Sequence, residues 1–331
     1  MNKKSSQVVV ITGASAGVGR ATVRAFASQG AKIGLIARGH VGLEGALEDV
    51  TRLGGEGLII PADVSDHDAI EAAAEKVERE LGPIDVWVNN AMVSEYAAVW
   101  DMTPQEFKHI VEVTLLGQVY GTMAALKRML PRDRGSIVHV GSALAHRSIP
   151  LQSAYCAAKH GVYGFVESLR TELMHKNSHV RVSIVSLPGV NTPQFDWTQN
   201  KTGHEVQPVG TIYQPEIPAE AIVFASRHNR KEVLVGWPTV ESVMGEKVNS
   251  ALLDRYIAEA AWDGALQGPE KPGHPNNFWS PVEQDFGAHG RFDDRAKPWS
   301  AQLWLNKNRN ALAAVGLGAA VAAGVALWRR K

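Results

Sequence analysis

Tyr155 and Lys159 stand four residues apart in Ser153-Ala154-Tyr155-Cys156-Ala157-Ala158-Lys159-His160, with Ser142 thirteen residues upstream. On a helix, residues i and i+4 share a face, so a phenol and an ammonium at this spacing can enter one pocket. A phenol, with a reference pKa of about 10, is a poor acid–base group at neutral pH. A neighbouring ammonium favours the phenolate, and a further positive charge beside it adds to that shift. The same spacing also arises by chance on exposed helices, so its meaning depends on the elements around it.

The N-terminal segment supplies that context. Val8-Val9-Val10-Ile11 is a β-branched run that reads as a buried strand. It leads into Thr12-Gly13-Ala14-Ser15-Ala16-Gly17-Val18-Gly19 and then a helical segment that stops at Gly30. Glycines there permit a tight turn and close backbone approach, and the following helix N-terminus offers free N–H groups at a positive dipole end. Strand, glycine turn and helix in this order predict a phosphate-binding turn.

The same alternation continues. Strands are expected at 32–37, 57–60, 84–88, 136–140, 180–186 and 232–235, and helices at 41–53, 66–81, 104–129, 152–175 and 218–227. This pattern predicts an α/β protein with a doubly wound parallel sheet and helices on both faces. Ligands of such sheets bind beyond the C-terminal strand ends, where the glycine turn, Asp63-Val64, Asn89-Asn90-Ala91, Ser142 and Pro188-Gly189 all fall. Residues 190–218 are polar, rich in Pro, Gly and Gln, and without a period, which predicts a lid or binding loop. Residues 250–266 read as a further helix and 268–300 as irregular chain.

Composition narrows the class. The 331 residues are 45% hydrophobic and 21% charged, enough for a sizeable core. Lys+Arg and Asp+Glu both number 34, so no basic field exists to attract nucleic acid. Cys156 is the only cysteine, which excludes an intrachain disulfide and reads as a small packing residue. His274 and His289 lack the Cys, His or carboxylate spacing of a metal site, so no metal is expected. No apolar signal-peptide region precedes the first strand, so the folded part is expected in the cytosol.

Taken together, these motifs resemble the short-chain dehydrogenase/reductase family over about residues 6–240. The resemblance implies an oxidoreductase in which Ser142, Tyr155 and Lys159 are catalytic. It also implies a cofactor site made of Gly13, Ser15, Gly17, Val18, Gly19, Asp63, Val64, Asn90, Ala91, Pro188, Gly189, Val190 and Thr192, with Tyr155 and Lys159 shared. Lys159 would lower the Tyr155 pKa and hold the nicotinamide ribose. The substrate would be a small carbonyl or alcohol and the assembly a homodimer or homotetramer. Two positions depart from the pattern: Met92 replaces a glycine, and Thr114 replaces an asparagine that supports the lysine. Cofactor choice follows from Arg38. NAD sites carry an acid about twenty residues beyond the glycine turn, whereas this chain has Arg38-Gly39-His40, so NADP(H) is expected over NAD(H). The loops around the site lack a cluster of Arg or Lys, which leaves uncharged or lipid-like substrates. The rival readings are a cofactor-binding scaffold or redox sensor without turnover, and an epimerase or dehydratase on a nucleotide-linked sugar.

The C-terminus adds a different expectation. From Ala311 to Trp328 the chain has 18 residues without charge or proline, closed by Arg329-Arg330-Lys331. As a helix they would span about 27 Å, close to the hydrocarbon thickness of a bilayer. Trp299, Trp304 and Trp328 suit the interfaces, and Gly316, Ala320 and Gly324 form a small-residue stripe. The expected division is a Rossmann-type catalytic domain at 1–250, an irregular extension at 251–305 and a single-pass membrane anchor at 306–331, with the catalytic domain facing the cytoplasm.

Overall fold

The computed structural model of the chain describes residues 6–271 and 273–312. Seven parallel strands form the central sheet: β1 (Val8–Thr12), β2 (Lys32–Ala37), β3 (Glu56–Pro61), β4 (Val86–Asn89), β5 (Ser136–Ser142), β6 (Arg181–Leu187) and β7 (Glu232–Leu234). Their spatial order is β7-β6-β5-β4-β1-β2-β3, so the winding reverses between β1 and β4. A crevice opens at such a reversal, beyond the strand C-termini. The β-branched runs are buried on both faces, as parallel strands under two helix layers must be.

Helices α1 (Gly17–Ala27) and α2 (His40–Arg52) cover one face. Helices α3 (His67–Glu80), α4 (Pro104–Val111), α5 (Gly117–Met129) and α6 (Ser153–His175) cover the other. Helix α7 (Glu216–Arg227) packs beside α1 on the first face. Local signals explain the starts: Asp66 accepts from the Ala69 N–H, and Thr103 with Glu106 forms a reciprocal cap ahead of Pro104.

Three expectations change. The helix expected over 104–129 contains a π-turn at Glu112–Leu116, where the buried Thr114 hydroxyl accepts from Val93 N–H and donates to Val93 C=O. Residues 190–218 do border the crevice, as a lid or binding loop would, but they are not irregular throughout. They pair in short strands with Glu95–Tyr96 and Leu266–Pro269, and Phe195, Val206 and Ile212 pack with Tyr96, Leu151 and Phe292. The helix expected from residue 250 is α8 (Trp237–Gly264), which starts on Pro238 in its first turn and runs unbroken through the expected boundary at 250. A further helix over residues 301–312 is tied to the sheet edge, since Gln302 accepts from Gly236 N–H and donates to Leu234 C=O. Of the expected anchor at 306–331 only residues 306–312 are described, and of its apolar run only Ala311 and Leu312; the rest lies outside the described residues. Among the described residues, no helix is long and apolar enough to cross a membrane.

Candidate active site

The crevice at the sheet's reversal is a cavity of about 640 Å³ that runs from Gly39 and Asp63 past Ser142 and Tyr155 to Ile257. At its centre β1 delivers the glycine turn. Gly17 has φ +57°, and a Cβ on Gly19 would stand 1.9 Å from the Gly13 carbonyl oxygen, so only glycine closes this turn. Asn90 locks it from β4: its side chain donates to the carbonyls of Thr12 (3.0 Å) and Gly13 (3.2 Å), while the Thr12 hydroxyl accepts from the amides of Asn90 and Ala91. The α1 amides of Val18 and Gly19 take no protein acceptor among the described residues, leaving two donors at a positive helix end.

Every cofactor-site residue expected from sequence lines this cavity except Gly19, which lies behind the turn against Gly13 and Asn90. Met92 also lines it. Arg38 closes the β2 end. Burial pushes its guanidinium pKa down, partly offset by Asp63 at 4.0 Å.

Ser142, the last residue of β5, accepts from the Leu144 N–H (3.1 Å) and lines the cavity together with Tyr155. One turn along α6, the buried Lys159 donates to the Val140 carbonyl (2.8 Å), with Nζ 5.5 Å from the Tyr155 ring centre. The expected lowering of the phenol by Lys159 is not seen. Enclosure pushes Tyr155 up, and the opposing influence comes from Ser142. Lys159 is itself pushed down to about 7 by burial, so it is a weaker source of positive charge than a solvated lysine. Below Lys159 a buried polar chain continues. The Gln118 amide also donates to Val140 C=O (3.4 Å), and His139 lies between Gln118 (2.9 Å) and Thr122 (3.2 Å), its pKa pushed down to about 3 by burial and by Lys159.

Several lining residues carried no sequence signal. Tyr96 and Gln152 stand beside Tyr155, and the Tyr96 phenol is pushed up by burial with contributions from Tyr155 and Cys156. Leu144, Ile149, Phe195, Val209, Leu253 and Ile257 make the far end mostly apolar, with Glu241 and Ser242 also on it. Arg147 also reaches it, but its guanidinium is committed to Glu246 (2.7 Å) and Asp254 on α8. Cys156 is buried beside the site. His289 sits between Glu216 (2.9 Å) and Asp293 (2.7 Å). The residues at hand suit a dinucleotide: a glycine cradle with two free amides at one station, an arginine at the ribose end, and a hydroxyl–phenol–ammonium group at the other.

Known proteins are similar to this chain in sequence and in fold. The sequence profile of the family described as short chain dehydrogenase matches residues 7–202. An uncharacterised oxidoreductase of Bacillus subtilis, YxnA, is 30% identical over 99% of this chain and 91% of its own. Carbonyl reductase family member 4 of Xenopus laevis is 30% identical over 66% of this chain and 90% of its own. Among solved structures, a metagenomic short-chain oxidoreductase in complex with NADP superposes with a TM-score of 0.58 at 30% identity, covering 69% of this chain and 96% of its own. An alcohol dehydrogenase of the archaeon Thermococcus sibiricus, complexed with 5-hydroxy-NADP, gives 0.60 at 26% identity, covering 69% and 95%.

Proposed function

The chain belongs to the short-chain dehydrogenase family and is an oxidoreductase of it; from that premise we propose that it interconverts a carbonyl and a secondary alcohol on an uncharged or lipid-like molecule, with NADP(H) as hydride carrier and Tyr155 as acid–base group. The observation that carries this reading is the convergence of Ser142, Tyr155 and Lys159 on one cavity, between the glycine turn and its apolar far end.

The nicotinamide supplies the hydride chemistry when bound, and the protein supplies orientation and electrostatics. The Ser142 hydroxyl holds the substrate oxygen near Tyr155. In reduction Tyr155 donates its proton to that oxygen; in oxidation it removes one. Its raised pKa keeps the phenol protonated and ready to donate. Running in the oxidative direction needs positive charge near the phenol, from protonated Lys159 and an oxidised nicotinamide acting together.

Two features support the substrate class. The far end of the cavity is mostly apolar, and its one arginine, Arg147, is already neutralised by two carboxylates, so nothing there compensates a negatively charged substrate. NADP(H) is favoured because Arg38 follows directly on β2 with no acid next to it in sequence, and both NADP-type complexes above belong to similar proteins. Attachment to a membrane through Ala311 to Trp328, with the catalytic part on the cytoplasmic side, remains part of this proposal on sequence grounds. Detergent-free fractionation of the full chain against a version ending at Asn308 tests it, and equal solubility of the two refutes it.

The enzymatic reading is tested by NADPH and NADH consumption across ketones and aldehydes with and without carboxylates. Turnover of uncharged members with NADPH supports it. Nucleotide binding without turnover of any member would instead make the chain a dinucleotide-binding scaffold or redox sensor.

A further inference from the structure

We propose that residues 277–292 form a second wall of the dinucleotide site, a strap that holds the cofactor in place between turnovers. The proposal rests on the cavity being a dinucleotide site; the strap lies beyond the 7–202 span of the family match.

The strap touches the sheet-side wall at three places, which are the three stations a dinucleotide must occupy. At the ribose end, the Arg38 guanidinium donates to the carbonyls of Asn277, Phe278 (3.1 Å) and Trp279 (3.3 Å), some 240 residues away in sequence. Two of its nitrogens are thereby committed to the strap, which fixes the guanidinium plane and leaves Nε and the flat face for a ligand. An arginine ordered in advance loses less freedom on binding. Pro281 abuts Gly39, its Cβ 3.0 Å from where a Gly39 Cβ would stand.

At the phosphate station, Gly287 C=O accepts from the Gly17 N–H (3.0 Å), and Asp285 pairs with the buried Arg20 (3.0 Å). Arg20 is held in turn by Asp49 (2.6 Å) and Ser15 C=O (3.2 Å), so the strap is tied to α1, α2 and the glycine turn through one side chain. The Val18 amide, at the cavity wall, takes no protein acceptor among the described residues and is left for an anion. At the nicotinamide end, the Phe292 N–H donates to Asn191 Oδ1 (2.9 Å), and Gly290 lies against the Thr192 carbonyl.

Both ends of the strap are buried plugs. Phe278 is fully buried in the main core, where His109 donates to its carbonyl (2.9 Å) and stacks on Trp279 at 4.5 Å. Phe292 is buried with Phe195 and Tyr96. Between the plugs the chain has no regular element. Of the strap, Asn277, Pro281, Val282 and Gln284 line the cavity, and a ligand is covered by them there. The contacts at Arg20, Gly17 and Asn191 fasten the rest of the strap to the sheet-side wall, so moving it requires contacts at more than one place to break.

The test measures release of bound NADPH from the full chain by fluorescence after rapid mixing with excess NADP⁺, for the wild type, Phe278→Ala and Asp285→Asn. Neither substituted residue lines the cavity. Phe278→Ala is expected to speed release by about tenfold or more, since the lost plug is worth more than 1.4 kcal/mol. Asp285→Asn, which loses one half-exposed ion pair, is expected to speed it about two- to fivefold. Unchanged release in both variants overturns the strap's role. Slower release in both also overturns it, because the strap would then be competing with the phosphates at α1. If Phe278→Ala does not fold, Asp285→Asn decides alone. A wild type that binds neither NADPH nor NADH would sink the proposed function as well, whereas binding with strap-independent release sinks only this inference.

Discussion

The cavity has two walls built by different rules. The sheet-side wall comes from repetition: β-branched runs and amphipathic helices place the glycine turn, Asn90, Ser142 and Pro188 at successive strand ends. The strap wall has no period. It is held by separate long-range contacts, Arg38 to the carbonyls of Asn277, Phe278 and Trp279, Arg20 to Asp285, and Phe278 in the core. A wall set by the fold cannot move without unfolding, while one held by a few contacts can peel away locally. The first suits chemistry, which needs fixed geometry. The second suits control of entry and exit.

Substitutions at the two walls should therefore fail differently. The largest effect is expected at Gly19, where a Cβ would stand 1.9 Å from the Gly13 carbonyl and no side chain can yield. Gly19→Val should weaken NADPH binding at least about a hundredfold, equivalent to 2.8 kcal/mol, in a fluorescence titration. A variant that still bound as tightly as wild type would show that the turn does not carry the phosphates. Between the walls stands Arg38. Exchanging it for Asp should lower the ratio of kcat/KM for NADPH over NADH by about ten- to a hundredfold, the worth of a charge-assisted contact of roughly 1.4–2.8 kcal/mol. An unchanged ratio would leave Arg38 as a strap fastener only.

A smaller effect concerns Lys159 in the protein free of nucleotide. Its folded pKa of about 7 lies below the ordinary 10.5, so between these values the unfolded chain holds a proton that the folded chain lacks. Stability contributed by this group should rise with pH across that window, and the charged form below it is the costly one. Lys159→Met should remove that slope and raise the unliganded Tm at pH 7 by about 2 °C or more while abolishing turnover. Melting curves from pH 6 to 10 check it, and parallel profiles for the two proteins would contradict it.

The contrast between the walls also explains what could be read from sequence. Strand and helix periods give the sheet, and the glycine turn, Asn90, Ser142, Tyr155 and Lys159 fall on one cavity because such motifs are local and sit at strand ends. The π-turn at Thr114 escaped because it is set by a hydrogen bond to Val93, twenty-one residues away, and not by local propensity. Residues 190–218 looked open because their apolar residues are few, yet Phe195, Val206 and Ile212 each find a partner brought by the extension. Nothing in Asn276-Asn277-Phe278-Trp279 marks Phe278 as a core residue or its neighbours' carbonyls as acceptors for Arg38. The direction of the Tyr155 shift was also beyond reach, since it depends on how deeply the phenol and Lys159 are enclosed.

The central claim is that Tyr155 moves the proton in a dinucleotide-dependent carbonyl–alcohol conversion, and it is most directly tested by Tyr155→Phe. With a substrate found in the carbonyl screen, kcat/KM should fall by about 10² to 10⁴, the usual worth of a positioned acid–base group. NADPH affinity should stay within about threefold, under 1 kcal/mol, because the ring remains and only the hydroxyl is lost. Full turnover by the phenylalanine variant would contradict the account.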